Sequence, residues 1–94
     1  IVSGYNVFPR EIDEVLMAHP KILEAAAIGV PDDYRGEVIK ACVSVREGEN
    51  LSEEELLAYC ADNLVKYKIP AIIEFTDSLP KTPVGKIDKK RLKA

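Results

Sequence analysis

At 94 residues, with a hydrophobic fraction of 47% and a net charge of −3, the chain is sized for one small domain with a modest core, which excludes most complete enzymes that bind two or three substrates. No apolar run approaches the length that crosses a bilayer, so no transmembrane segment is expected. The charge is lopsided: Glu47 to Asp62 holds six acids and no base, and Leu79 to Ala94 holds six bases and one acid, a pattern whose simplest reading is a solvated acidic helix and a solvated basic tail.

The opening "IVSGYNVFPR" has neither an initiator methionine nor the basic-then-apolar layout of a secretory signal, and reads as an interior cut in a longer protein. Pro9 suits the first helical turn, and Glu11, Asp13 and Glu14 suit the positive end of the helix dipole. Ile12, Val15, Leu16 and His19 keep helical spacing until Pro20, so a helix is predicted from about Pro9 to His19. His19 itself reads as a charge or donor at the last carbonyls, not as a catalytic base.

"ILEAAAIGV" reads as a buried strand, and "PDDYRG" as a tight connection whose two acids cap the turn rather than bind a metal. "VIKACVSV" then alternates, with Ile39, Ala41, Val43 and Val45 on one face, so the two runs make a hairpin. Cys42 and Cys60 are the only cysteines. They read as two buried thiols in a reducing compartment, which gives a cytoplasmic expectation, and a lone histidine supports no zinc site.

"REGEN" is a loop, after which Ser52 and Glu55 form a capping box ahead of Leu56, Leu57, Cys60, Ala61 and Leu64. A helix is predicted from about Ser52 to Val65. "YKIP" breaks it, "AIIEF" reads as a short buried strand, "TDSLPKTPVG" as a loop, and "KIDKKRLKA" as a short basic terminal helix anchored by Ile87 and Leu92. The sum is an α+β domain, a small mixed sheet with two to three helices packed on it.

Composition alone nominates few chemical groups. Lys86 follows Gly85 on a loop that Pro80 and Pro83 should keep irregular, which makes it a mobile cation able to meet a phosphate or carboxylate. "SGYN" can serve as an anion-binding turn, because Gly4 lets backbone N–H groups approach a ligand. The basic end, Lys89, Lys90, Arg91 and Lys93, has no aromatic platform beside it, so no nucleic acid partner is expected.

Three stretches in order, "SGYNVFPREIDEVL", "AAAIGVPDDYRGEVIKACVSV" and "YKIPAIIEFTDSLPKTPVGKIDKKRL", carry the patterns G-x-N-[IV]-x-P-x-E-[IV]-[DE] and P-x-T-x-x-G-K-[IV]. Together they resemble the C-terminal domain of the adenylate-forming superfamily, which contains acyl- and aryl-CoA synthetases, adenylation domains of nonribosomal peptide synthetases and firefly luciferase. The resemblance runs over essentially the whole of residues 1–94 and is greatest to the acyl-CoA synthetases. A peptide-synthetase adenylation domain and a non-enzymatic interaction module are the alternatives.

The resemblance implies a mobile lid that works on its own large N-terminal domain, with a carboxylic acid, ATP and CoA as substrates and Mg2+ held mainly by that other domain. It makes Lys86 the adenylation lysine. Thr82 and Gly85 become loop-shaping positions, and Gly4, Tyr5 and Asn6 line the pantetheine tunnel in the thioester-forming arrangement. Lys66, Lys68 and Arg35 are candidates, from charge alone, for the nucleotide phosphates of CoA. A hinge residue and the N-terminal domain are expected upstream of the chain.

Overall fold

The first helix is described over Pro9–Met17 and ends two residues short of His19. The computed structural model describes residues 9–93, so the Gly4, Tyr5 and Asn6 turn lies outside the described residues. In chain order the elements are α1 (Pro9–Met17), β1 (Ile22–Asp32), β2 (Gly36–Val45), α2 (Glu53–Asn63), a 3-10 turn (Lys66–Lys68), β3 (Ile72–Phe75) and α3 (Lys89–Lys93). Among the described residues they build a three-stranded sheet in the order β1-β2-β3 with three α-helices around it, the expected α+β architecture.

β1 and β2 form the predicted hairpin, antiparallel from Ile22 opposite Val45 to Asp32 opposite Gly36. At its turn the Asp32 carboxylate accepts the backbone N–H groups of Tyr34 at 3.2 Å and Arg35 at 2.9 Å. The Arg35 N–H is the largest cause holding the Asp32 carboxyl below its usual range. This is a side-chain turn motif, as the sequence reading of Asp32 as a turn cap expects. Gly36 closes it with φ +79°, a conformation that favours glycine.

β2 is the central strand and is covered on both faces. Ile39, Ala41 and Val43 look toward one cluster, with Ala25 and Ala27 of β1, Ile12 and Leu16 of α1, and Leu56, Cys60 and Leu64 of the α2 region. Cys42 looks the other way and packs with Ile28 and Leu79, flanked by Val30, Ile87 and Leu92. The alternation of the strand thus feeds two separate cores. Both cysteines are free and buried, and burial pushes both thiols up.

Helix α1 also closes the outer edge of β1. The Ala27 N–H, which points away from β2, donates to Asp13 Oδ1 at 2.6 Å, and the Ala25 N–H meets Met17 Sδ at 3.2 Å. Asp13 therefore serves the strand rather than only the helix dipole, and an otherwise open sheet edge is satisfied. α2 starts where its capping residue predicts, with Ser52 Oγ accepting the Glu55 N–H at 3.0 Å. The Glu55 carboxylate is taken by Lys21 Nζ at 3.0 Å.

Two expectations are corrected. His19 is buried and accepts at Nδ1 the Lys21 N–H, 3.0 Å away, with its ring edge-on to Tyr59 at 4.6 Å. It is an acceptor in a turn, not a donor to helix carbonyls. "AIIEF" does form a strand, but β3 lies parallel to β2 at the sheet edge, with Ile72 and Phe75 43% and 41% exposed. An edge strand is covered on fewer sides than an apolar run suggests, so it is not a buried strand.

Candidate active-site loop

The stretch carrying Lys86 is anchored before it is shaped. Leu79 is buried against Ile28 and Cys42, and Ile87 and Leu92 pack on the same small core from the far side of the loop. Between these anchors Lys81 and Ile87 pair as an antiparallel bridge, and the Asp88 N–H donates to the Pro80 carbonyl at 2.8 Å. The segment read as an irregular loop is thus a miniature hairpin.

Its tip explains how Pro83 is accommodated. Pro83 follows Thr82, and the Gly85 N–H closes a turn on the Thr82 carbonyl at 2.9 Å, which puts proline at the second position of a β-turn, where its fixed φ is suited. Gly85 then takes φ +87°, the left-handed residue that follows a turn in three-residue hairpin loops. The Thr82 N–H donates to the Lys86 carbonyl at 2.6 Å, and the Thr82 hydroxyl accepts the Lys86 N–H at 3.2 Å. Thr82, Gly85 and Lys86 are therefore brought together, and Thr82 holds both the N–H and the carbonyl of Lys86.

The irregular loop of the sequence reading is corrected accordingly, because Pro83 sits at a position that a turn accepts. The Lys86 side chain is exposed, beside Val84, which is 81% exposed. Among the described residues no carboxylate pairs with Lys86. Its neighbours differ: Lys81 Nζ sits 2.6 Å from Glu24 of β1, and Lys89 Nζ sits 2.6 Å from Asp13 of α1. The hairpin is thus tied to the body at its first arm and, just beyond its second, at the start of α3.

The bases nominated for a nucleotide phosphate separate in the same way. Lys68 Nζ is 2.7 Å from Glu11, and that hydrogen bond raises its pKa. Arg35 leans on Asp32 at 3.5 Å, while Lys66 is exposed. Sequence reasoning missed Glu24 and Asp13 as partners of the lysine loop. The available signal for Glu24 was a single acid inside the apolar run "ILEAAAIGV", since a charge on a half-buried strand calls for a partner.

Fold and loop define a small α+β domain that presents a lysine outward on a braced turn. The chain belongs to the family described as the AMP-binding enzyme C-terminal domain, whose model matches residues 11–86. It is 50% identical over 93 residues to a long-chain-fatty-acid–CoA ligase of Yersinia pestis, covering 99% of this chain and 16% of that protein. Its fold matches a Mycobacterium tuberculosis fatty acyl CoA synthetase with TM-score 0.91 and 39% identity, over 99% of this chain and 18% of that one. ATP-bound MatB from Rhodopseudomonas palustris matches with TM-score 0.93 and 35% identity, again over 99% and 18%. The chain therefore spans about a sixth of the length of the curated ligase it matches.

Proposed function

We propose that this chain is the lid of an ATP-dependent acyl-CoA synthetase that converts a fatty or aryl acid, ATP and CoA into acyl-CoA, AMP and pyrophosphate. The observation that carries the reading is the exposed Lys86, without a carboxylate partner among the described residues, at a hairpin tip flanked by the paired Lys81 and Lys89, in a chain of this family.

In the first half-reaction a carboxylate oxygen bonds to the α-phosphorus of ATP and pyrophosphate leaves with the electrons of the broken P–O bond. An anion attacks an anion, so a fixed positive charge in the closed site lowers the barrier. Lys86 supplies that charge as a compact ammonium on a long stem. In the second half-reaction the CoA sulfur, having lost its proton, bonds to the acyl carbon and AMP departs. In this reading the lid rotates between the steps.

Among the described residues no group of three or more His, Cys, Asp or Glu side chains is placed to hold a metal ion. In the proposed reading the Mg2+ that accompanies ATP is a ligand of the larger domain. The reading is tested by incubating the full-length protein with ATP, CoA and fatty acids. Acid-dependent AMP and acyl-CoA should form, whereas the isolated 94-residue chain should form neither. Acid-dependent AMP from the isolated chain, or acyl transfer to a carrier-protein thiol in place of CoA, would contradict it.

A further inference from the structure

We propose that Glu24 and Asp13 are positioning residues that aim Lys86 during adenylation, each acting through a lysine beside the hairpin tip, one on its first arm and one at the start of α3; this rests on the reading of Lys86 given above. The two pairs have matching geometry. Lys81 to Glu24 and Lys89 to Asp13 are both 2.6 Å, and the two carboxylate side chains are similarly shielded, at 23% and 24% exposure. Lys81 is itself a bridge residue of the hairpin, opposite Ile87, and Lys89 opens α3 directly after it. Lys86 lies between the two attachment points.

Asp13 is a firm anchor because both of its oxygens are used. Oδ1 accepts the Ala27 N–H at 2.6 Å and Oδ2 accepts Lys89 Nζ at 2.6 Å. One carboxylate thereby joins α1, the edge of β1 and the start of α3. The apolar contacts beneath the loop come from a small cluster, Ile28, Cys42 and Leu79 with three partly buried neighbours. Such a cluster fixes the depth of the loop better than its lateral aim, whereas two directional ion pairs on either side of Lys86 fix the aim.

Partly exposed ion pairs add little to stability. A reaction is far more sensitive to aim, since a shift of about 1 Å at the reacting centre can cost on the order of a hundredfold in rate. Loss of either pair should therefore show in the one half-reaction that uses Lys86, well before it shows in melting.

The test uses the full-length enzyme and two assays, acid-dependent ATP–pyrophosphate exchange for adenylation and CoA thioester formation from supplied acyl-adenylate. Glu24→Gln and Asp13→Asn, which keep side-chain size and an acceptor oxygen, should each lower the exchange kcat about tenfold. The thioester step should stay within about twofold, and Tm within a few degrees. The reversed pair Glu24→Lys with Lys81→Glu should recover most of the exchange rate. Unchanged exchange in both single variants, or both half-reactions falling together with Tm, would overturn the inference. Lys86→Ala is the control: if it leaves exchange intact, the reading of Lys86 falls and the inference with it. If it abolishes exchange while the Glu24 and Asp13 variants are inert, only the positioning inference falls.

Discussion

The two faces of the sheet are held by different means. On one, Ile12, Leu16, Leu56, Cys60 and Leu64 from the helical side close over Ala25, Ala27, Ile39, Ala41 and Val43, all buried. On the other, three buried residues and three partly buried ones lie under the lysine hairpin, supplemented by two ion pairs. The thick face serves stability and the thin face carries the candidate chemistry. Placing a reactive loop over the thinner core lets its aim be set by a few contacts without threatening the fold.

That contrast can be broken by truncating one anchor on each face. Leu56→Ala should cost about 2–5 kcal/mol of unfolding free energy, as a fully buried leucine in the large cluster. Leu79→Ala should cost nearer ~2 kcal/mol, the low end for such a change, because its cluster is smaller and borders solvent. Urea midpoints compare the two, and hydrogen exchange locates the damage: Leu79→Ala should speed exchange at Gly85 and Asp88 while leaving α2 protected. Equal losses from the two substitutions would erase the distinction between the faces.

A smaller effect sharpens it at the tip. Gly85 has φ +87° with nothing within 4 Å of an added Cβ, so Gly85→Ala meets backbone strain and no clash. The expected cost is about 1–2 kcal/mol, with a smaller loss for Gly85→Asn, which tolerates the left-handed region better. Thermal denaturation of the two variants checks this. Equal destabilisation by both would show that the tip does not depend on that conformation.

Much of the fold was legible where the signals are local. Ser52 with Glu55 marked the start of α2, and the Pro31 to Gly36 connection with the alternation after it marked the hairpin. The exposure and parallel pairing of β3 were not, because an apolar run does not tell which side of a sheet it will occupy. The regularity of the Lys86 loop was hidden by its prolines, whose compatibility with a turn depends on the backbone around them. Lys86 itself stood out only through the resemblance of the whole chain. Its bracing could not be read at all, since Asp13 and Lys89 are 76 residues apart and local patterns carry no record of such a pairing.

The most direct measurement compares the two half-reactions in Lys86→Ala of the full-length enzyme. A lysine used as a fixed charge on the lid predicts loss of acid-dependent ATP–pyrophosphate exchange by about 10²- to 10³-fold, the scale for removing one preorganised electrostatic group, with thioester formation from supplied acyl-adenylate nearly unchanged. Equal loss of both steps, or exchange at the parent rate, would contradict the account.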